Sequence, residues 1–335
     1  MNSIGVKEAA SILSEARGRK VMITFHSIGD TDSVASALVL SRILKGSRVL
    51  TPDAITRNAS NTLRKLGYSG RFGKSFMEDA ELVILVDVNN FEGCGAFEEK
   101  LGKFKHDVLI IDHHARKEIP GRFVRSFDDE SYNSTSSMVY EIAKEMGVDI
   151  SPVESKLLAL GIISDSAGFR NASYQTFYQL AELFQQAGTS YIKLQEEFYK
   201  EPQPEHRLEI LADLCHSDSK VLNSLLFMYG AAHGHASDVA DMAINVGADA
   251  SIFYSENEAE VAVSSRLRPT LDEKYSLHLG IIMKECAHII GGSGGGHPCA
   301  AGAYGPKKEN AQEIVSELIN RISEKVSTAN SAAIK

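Results

Sequence analysis

The sequence has only four cysteines, no long hydrophobic run and little positive charge. The cysteines form no CxxC pair, which excludes a disulfide framework and a cysteine-rich zinc site and is typical of a reducing compartment. No apolar segment approaches the roughly 20 residues that a membrane-spanning helix needs, and the N-terminus lacks the pattern of a signal peptide. These absences predict a cytoplasmic protein with no membrane partner.

The charge balance narrows the class of partner. Lys and Arg number 35 against 44 Asp and Glu, a formal net charge of −9 at pH 7. Affinity for long nucleic acid comes mainly from Lys and Arg contacts to phosphates, so this balance argues against nonspecific coating of long nucleic acid. A small anionic substrate held through metal ions remains compatible with it. The length of 335 residues favours two domains, each with its own core.

In the first half of the chain, apolar runs alternate with amphipathic helical patterns. The runs Val21–Phe25, Leu82–Val86 and Val108–Ile111 have strand length and are continuously apolar, as strands buried on both faces are. Helical patterns such as Val34–Leu44 and Ser60–Leu66 lie between them. The alternation predicts an α/β fold with a doubly wound parallel sheet.

A proline-containing segment separates this domain from a second one. Helical patterns continue to about residue 188, and Glu201-Pro-Gln-Pro204 then falls in a stretch that we interpret as a helical linker. Beyond it, β-like runs such as Val221–Tyr229, helical patterns and a Gly-rich loop at Gly291–Gly296 predict a smaller α/β domain. We expect the first domain at 1–188, the linker at 189–217 and the second domain at 218–330.

Three of the predicted strands run directly into residues that can bind metal ions. Each residue taken alone has another explanation: an Asp after a strand is often a turn residue or a helix cap, and Asp32 or Ser33 can cap the helix that begins near Val34. However, the carboxyl ends of parallel strands meet at one edge, where gathered carboxylates repel one another unless cations are present. The residues at this edge are His26, Asp30, Asp32, Asp87, Asp112, His113 and His114.

The types of these side chains indicate the metal. Carboxylates with a minority of imidazoles suit Mn²⁺, with Mg²⁺ or Fe²⁺ as substitutes, whereas zinc sites more often contain cysteine or three histidines. Asp30, Asp32 and Asp87 can together hold two ions about 4 Å apart, the spacing of two-metal hydrolases. Such a pair binds and deprotonates a bridging water and polarises a phosphoryl oxygen. Asp165, in a turn after an apolar helical stretch, is a further candidate, although a helix cap also explains it.

Taken in order, these segments resemble the motifs of the DHH phosphoesterase family. Ser134-Thr135-Ser136 before a predicted helix matches a further family segment, and the Gly-rich loop resembles the substrate-binding motif of the DHHA1 domain. Two departures are that Ser27-Ile28-Gly29-Asp30-Thr31-Asp32 replaces a common Asn-Pro-Asp-Gly-Asp, and that Cys299 stands where histidine is common. The matching segments are His26-x3-Asp30-x-Asp32, Asp87, Asp112-His113-His114, Ser164-Asp165 and Gly294-Gly295-Gly296-His297-Pro298-Cys299-Ala300-Ala301-Gly302.

The resemblance implies a role for each of these residues. One metal ion would be held by His26, Asp30 and Asp87. The other would be held by Asp32, His113 and Asp165, with Asp87 shared. His114 would face the substrate phosphate as a catalytic residue, and Asp112 would orient a histidine from behind.

Substrate-binding residues are expected in two places. In the second domain, Gly294, Gly295 and Gly296 can bring the backbone close to a phosphate, followed by His297; a Gly-rich loop alone is more often a flexible turn. Arg266 and, after Asp165, Arg170 can pair with phosphate through the planar guanidinium. Arg268 competes with Arg266 for this role, and a solvated surface charge is the alternative explanation of both.

Length and layout resemble the nanoRNase and oligoribonuclease branch of the family. This resemblance implies a Mn²⁺-dependent phosphoesterase that hydrolyses short RNA or DNA oligonucleotides to nucleoside 5′-monophosphates through a metal-activated water. It also implies 3′-phosphoadenosine 5′-phosphate as a substrate, and a short substrate enclosed between the two domains.

Other functions are weighed against this one. A cyclic dinucleotide phosphodiesterase, acting on cyclic di-AMP or pApA, has the same two-domain plan. An inorganic pyrophosphatase has the same metal site but a different second domain, and a processive exonuclease usually has additional domains. A non-catalytic nucleotide-binding protein would have lost metal-ligand positions, all of which are present here. The sequence is compatible with a homodimer but contains no stretch that demonstrates one.

Overall fold

A computed structural model describes residues 2–115, 119, 124–166, 169, 172–198, 203–257 and 259–333. The chain divides into two units, Met1–Lys200 and Glu201–Lys335. In the described ranges, no helix combines the length and apolar character that crossing a membrane requires.

Strands and helices alternate in the first unit, as the sequence predicts. A 3₁₀ helix at Glu92–Phe97 precedes α4. In chain order the elements are β1 (Asn2–Ser3), α1 (Val6–Glu15), β2 (Val21–Phe25), β3 (Ile28–Gly29), α2 (Thr31–Ile43), β4 (Arg48–Val49), β5 (Ala54–Ile55), α3 (Arg57–Lys65), β6 (Leu82–Val86), α4 (Glu98–Lys103), β7 (Asp107–Asp112), β8 (Val124–Asp128), α5 (Thr135–Glu145), α6 (Pro152–Asp165), α7 (Tyr174–Ala187) and α8 (Tyr191–Phe198).

The main sheet of this unit is parallel and doubly wound. Among the described residues its strand order is β1-β8-β7-β6-β2-β4, so the chain leaves β2 toward one edge and returns to β6 on the other side. Ligands of such sheets bind where the strand order reverses. Phe25 pairs with Val86, and Val86 pairs with Ile111. The residues that follow β2 and β6 therefore stand at one level, beside the last residue of β7.

Both faces of the sheet are buried, which explains the continuous apolar runs. Alternate strand residues point to opposite faces. Ile23 and Ile84 belong to a core shared with α1, α2, α5 and α6, whereas Met22 and Val83 pack with Phe76 on the other face. Each fully buried aliphatic side chain contributes about 1.5–3 kcal/mol to the free energy of unfolding. The sheet edge that carries the candidate site therefore rests on a well-packed platform.

The second unit is a smaller α/β fold, as predicted. Its described strands form one sheet in the order β13-β14-β12-β11-β10-β9, in which only β10 and β11 are parallel. The elements are α9 (Pro204–Cys215), β9 (Asp218–Leu222), β10 (Leu225–Ala231), α10 (Ala236–Val246), β11 (Ala250–Glu256), β12 (Val261–Leu267), α11 (Leu271–Tyr275), α12 (Leu279–Cys286), β13 (Ser293–Gly296), β14 (Ala300–Gly305) and α13 (Ala311–Ala333).

Two local predictions for this unit are wrong. The run Val221–Tyr229 is not one strand but the hairpin β9–β10. Its turn residues Asn223 and Ser224 both have positive φ, 50° and 66°. This is the backbone of a two-residue hairpin turn, and serine in the place usually taken by glycine hid the signal.

The predicted Gly-rich loop is the second error, because Ser293–Gly296 is the edge strand β13 paired with β14. The glycines permit close backbone contact rather than a mobile loop. A Cβ at Gly296 would lie 2.3 Å from the carbonyl oxygen of Ala300. A Cβ at Gly292 would lie 1.7 Å from that of Tyr304.

Candidate metal centre

Asp87 lies at the centre of the candidate site, immediately after β6. Its backbone N–H still donates to the carbonyl oxygen of Ile111, at 3.0 Å, but its φ of 60° is left-handed. Such a conformation costs a residue other than glycine about 1–3 kcal/mol and is concentrated at functional sites. The side chain is buried, and the Thr135 hydroxyl donates to Asp87 Oδ1 at 3.1 Å. The fold therefore holds this carboxylate in one orientation at the expense of backbone strain.

His26, Asp30 and Asp87 form the first group of potential ligands. His26 Nε2 lies 3.6 Å from Asp87 Oδ2 and 3.8 Å from Asp30 Oδ1. One ligand atom from each residue lies within 4.8 Å of the others. Asp30 is also the N-cap of α2, since its Oδ1 accepts from the Ser33 N–H at 3.0 Å. The cap is thus Asp30, rather than Asp32 or Ser33.

Asp32, His113 and Asp165 form the second group, with ligand atoms again within 4.8 Å. His113 Nε2 lies 2.9 Å from Asp165 Oδ2 and 3.5 Å from Asp87 Oδ1. Asp32 is fully buried, and its two oxygens accept from the backbone N–H groups of Thr135, at 2.7 Å, and Ser136, at 2.9 Å. The N-terminus of α5 therefore fixes Asp32, as helix N-termini commonly do with anions.

Gly161 permits α6 to bring Asp165 into this group. A Cβ at Gly161 would lie 2.2 Å from Ser136 Oγ and 3.0 Å from Asp32 Oδ1. Any side chain there would push α6 away from the start of α5. The sequence pattern gives no separate role to Gly161 or to Thr135. Their functions depend on packing between segments far apart in the chain, which no local pattern reveals.

His114 and Asp112 form a pair beside the two groups. His114 Nδ1 lies 2.8 Å from Asp112 Oδ1, and about half of the His114 side chain is exposed. Asp112 is fully buried. Asn89 Nδ2 donates to the carbonyl oxygen of Ala115 at 2.8 Å and fixes the backbone after the two histidines. The geometry thus places Asp112 behind His114 and presents the far edge of that imidazole to solvent.

The electrostatics of the two groups are strongly coupled. Burial raises the pKa of Asp32, and the neighbouring Asp87 carboxylate raises it further. Burial also raises the pKa of Asp165. Burial lowers the pKa of His26, but the surrounding carboxylates outweigh it and raise this pKa to about 10. Burial also lowers the pKa of His113, but the carboxylates of Asp165 and Asp87 outweigh it and raise this pKa to about 11. Without cations the carboxylates are therefore neutralised by protons on the site itself.

The donor set fits divalent cations. Within the described residues, buried His113 Nε2 makes no hydrogen bond of acceptable geometry, although carboxylate oxygens of Asp165 and Asp87 lie 2.9 and 3.5 Å away. A ring nitrogen facing oxygens in this way matches ligands that face a shared cation. In addition, Asp87 Oδ2 faces His26 while Asp87 Oδ1 faces His113. The two groups thus share one carboxylate, and each offers oxygen and imidazole donors suited to Mn²⁺.

The predicted substrate-binding residues of the second unit lie in ion pairs or in the edge strand β13. Arg266 forms a two-pronged ion pair with Asp241, with N–O distances of 2.8 and 3.2 Å. Arg268 pairs with Asp249 at 3.3 Å. Gly294, Gly295 and Gly296 lie in β13, and the His297 N–H donates to the carbonyl oxygen of Ala300. Because successive N–H groups of a strand point in opposite directions, only alternate glycines of this edge strand can offer an N–H to a phosphate. Arg170 lies outside the described residues.

Comparison with known proteins agrees with this geometry. The chain matches the DHH family, N-terminal domain, over residues 20–162 and the DHHA1 domain over residues 219–324. It is therefore a two-domain member of the DHH family of phosphoesterases. Among its relatives is the bifunctional oligoribonuclease and PAP phosphatase NrnA of Mycoplasma genitalium, 25% identical over 90% of this chain and 94% of that protein.

Two further similarities cover different shares of the chain, one less than half and the other almost all of it. A probable manganese-dependent inorganic pyrophosphatase of Streptococcus agalactiae is 27% identical over 44% of this chain and 48% of its own length. The crystal structure of an exopolyphosphatase-related protein from Bacteroides fragilis superposes with a TM-score of 0.74 at 17% identity, covering 96% of this chain and 97% of the other. The second similarity demonstrates the shared fold alone.

Proposed function

We propose that this phosphoesterase is a Mn²⁺-dependent hydrolase that releases nucleoside 5′-monophosphates from short oligonucleotides and also dephosphorylates 3′-phosphoadenosine 5′-phosphate. The observation that carries the proposal is the division of the Asp87 carboxylate between two ligand groups. The relative NrnA, which is similar over almost the whole chain, supports the choice of substrate. The manganese-dependent relative supports the choice of metal.

In this proposal His26, Asp30 and Asp87 hold one ion, and the group of Asp32, His113 and Asp165 holds the other with help from Asp87. The ions would supply a Lewis acid for the phosphoryl group and a water of lowered pKa. Thr135 and the N-terminus of α5 keep Asp87 and Asp32 in place when the ions leave. The ligands are therefore oriented before metal binds, which limits the reorganisation that binding requires.

His114 is the side chain that contacts the substrate phosphate in this proposal. Its Nδ1–H donates to Asp112, and this carboxylate raises the pKa of the His114 ring. The protonated ring then presents its Nε2–H as a donor to a phosphoryl oxygen as negative charge develops there. Fixing one ring nitrogen against a buried carboxylate also fixes the ring plane. His114 thus complements the charge of the transition state rather than binding metal.

Arg170, Arg266, Gly294–Gly296 and His297 are the proposed substrate-binding residues. Asp241 and the carbonyl oxygen of Ser265 hold the Arg266 guanidinium in a fixed plane, and the two N–H donors they leave can bind a terminal phosphate. The net charge of −9 is consistent with short rather than long nucleic acid.

The test is product analysis with Mn²⁺ over a panel of labelled RNA and DNA of two to twenty-four nucleotides, cyclic di-AMP, pApA, 3′-phosphoadenosine 5′-phosphate and pyrophosphate. We expect the fastest release of mononucleotides from the shortest RNAs. Asp149→Asn, which changes an exposed carboxylate of the same unit, is the control for the loss of turnover in Asp87→Asn. A preference for cyclic di-AMP or pyrophosphate would show that the proposed substrate is wrong. Binding without turnover of any compound would show that the protein is not an enzyme for these substrates.

A further inference from the structure

The second unit carries a group of potential metal ligands that the proposed catalysis does not use. His206 lies in the first turn of α9, and His235 and Asp238 lie at the start of α10. One ligand atom from each lies within 4.8 Å of the others. His206 Nε2 lies 3.0 Å from Asp238 Oδ2, and the rings of His206 and His235 have centroids 4.2 Å apart. Two imidazoles and a carboxylate therefore converge at one place on this unit.

Packing and hydrogen bonds in the second unit account for this convergence. Ile210 of α9 packs with Ala236 and Val239 of α10 in one apolar cluster, which sets the two helix starts side by side. The buried Asp213 accepts from the His233 N–H at 2.9 Å and fixes the segment that leads into α10. The positions of the ligands thus follow from the core rather than from contacts among the ligands themselves.

A carboxylate, that of Glu209, lies beside the second ring nitrogen of His206. Its Oε2 lies 3.6 Å from His206 Nδ1, while His206 Nε2 faces Asp238. A histidine that binds metal through one nitrogen usually directs the other toward a carboxylate, which fixes the tautomer. Glu209 lies one helical turn after His206 on the same face of α9.

A simple ion pair between His206 and Asp238 explains only part of this arrangement. It gives no role to His235, whose ring makes no hydrogen bond in the part of the chain that the structure describes. His235 is the N-cap residue of α10, yet its side chain does not cap the helix. Its ring instead lies at an interplanar angle of 78° to that of His206. Both rings can therefore offer a nitrogen to one ion.

We propose that His206, His235 and Asp238 form a separate metal site that binds Zn²⁺ and joins α9 to α10. Two imidazoles with one carboxylate are a common zinc ligand set, in which water completes the tetrahedron. The exposed position of His235 and Asp238 leaves room for that water. This site contains more imidazole than carboxylate, in contrast to the Asp-rich groups of the first unit, and so favours zinc over manganese.

Native mass spectrometry of the full chain titrated with Zn²⁺ tests the site by counting ions. We expect His235→Gln to bind one zinc ion fewer than the wild type and to weaken that binding at least tenfold, with Mn²⁺-dependent hydrolysis unchanged. His216→Gln is the matched control, because His216 is an exposed histidine at the other end of α9 whose ring Nδ1 faces the carbonyl oxygen of Ala212. Asp238→Asn is the second variant if His235→Gln does not fold. Equal zinc counts in the wild type and in the folded variant overturn the proposal.

Two further measurements locate the ion and define the role of Glu209. Anomalous diffraction at the zinc edge is expected to place a peak between His206, His235 and Asp238, and a zinc-loaded crystal without such a peak overturns the site. Glu209→Gln is expected to weaken zinc binding about tenfold without changing the count at saturation, as loss of a supporting carboxylate does. Unchanged affinity in that variant would contradict the assigned role of Glu209.

Discussion

Asp87 combines a strained backbone with a buried carboxylate that two histidines face from opposite sides. The left-handed backbone would suit glycine or asparagine better than aspartate, and burial disfavours the charged form of a carboxylate. The hydroxyl of Thr135 and the N-terminus of α5 hold the surrounding carboxylates in place. At the scale of single residues, the site is therefore arranged for cations and not for the stability of the empty protein.

The first prediction concerns Asp87→Asn. Asparagine keeps the shape and tolerates φ > 0, but it cannot supply the charge that both ligand groups share. We expect kcat with Mn²⁺ to fall at least about 10³-fold, a loss of about 4 kcal/mol of transition-state stabilisation. The variant should still fold without metal, because asparagine keeps the shape of the side chain and suits the left-handed backbone. Calorimetry checks that the variant folds, and single-turnover rates measure its loss of activity. Wild-type-like turnover would show that Asp87 is not a metal ligand.

The second prediction isolates the hydrogen bond from the Thr135 hydroxyl. Thr135→Val removes the donor to Asp87 Oδ1 but keeps the size of the side chain and the backbone N–H bound to Asp32. We expect Mn²⁺ affinity to fall about 10- to 100-fold, as for other lost supporting contacts. Thr135→Ser keeps the hydroxyl and should bind Mn²⁺ like the wild type in a calorimetric titration. Equal affinities in the valine and serine variants would show that the bond does not matter.

At the scale of elements, α6 connects stability with function. It begins with a capping box between Ser151 and Glu154 and ends at Asp165, and Gly161 lets it pass close to α5. It runs over Pro152–Asp165, within the region where the sequence predicts helices up to about residue 188. The closeness to α5 could not be predicted, since it depends on a contact with Ser136, 25 positions earlier in the chain. Metal ligands on such a helix move whenever its packing changes.

The third prediction therefore concerns Gly161→Ala. The added Cβ meets Ser136 Oγ and Asp32, so we expect a loss of about 1–3 kcal/mol in the free energy of unfolding, together with weaker Mn²⁺ binding. The matched control is Gly102→Ala in α4, where a Cβ meets nothing within 4 Å. That change should leave stability equal or raise it by up to about 1 kcal/mol. Urea denaturation of both variants decides, and a neutral Gly161→Ala would contradict the close packing.

The fourth prediction is a pH dependence at the start of α6. Burial raises the pKa of Glu154, but the N–H and hydroxyl of Ser151 and the Arg42 guanidinium outweigh burial and lower this pKa below 4.5. A folded-state pKa below the unfolded one stabilises the protein above the unfolded pKa, and the contribution disappears as the pH falls through the folded pKa. We expect Glu154→Gln to cost about 0.5–1 kcal/mol at pH 7.

The difference from the wild type should shrink steadily as the pH falls below 4.5, because both side chains are then uncharged. Urea denaturation at several pH values measures it. Glu145→Gln, an exposed carboxylate at the C-terminal end of α5, serves as the control and should show no comparable loss at pH 7. A loss for Glu154→Gln that is the same at pH 7 and pH 3 would rule out the charge as its cause.

At the scale of the whole molecule, the sequence predicts the parts that depend on local pattern. Buried strands such as β2 and β6 appear as continuous apolar runs, and the residues that follow them converge because parallel strands end at one edge. The hairpin turn at Asn223 and Ser224 and the edge strand β13 were not predicted. In the hairpin turn, serine stands where glycine is usual, and in β13 a run of glycines resembles a loop. The hydrogen bonds of Asp32 with α5 join residues 103 and 104 positions apart, beyond the reach of any periodicity.

The fifth prediction compares the two units. The described catalytic ligands all belong to the first unit, so Mn²⁺ should slow hydrogen exchange after β2, after β6 and at the start of α5. At 100 times its dissociation constant, one bound ion adds about 2.7 kcal/mol to the free energy of unfolding. Chelation with EDTA should reverse both effects. Protection that appears only in the second unit would contradict the assignment.

The assembly of the Asp-rich centre within one unit has an evolutionary consequence. Its described ligands all fall between residues 26 and 165, and that unit has its own core. The candidate metal centre can therefore be inherited without the second domain, because a gene fusion can replace that domain and leave the candidate ligands unchanged. The pyrophosphatase relative aligns with 44% of this chain. Phylogenies built separately from the two domains are then expected to differ in their branching.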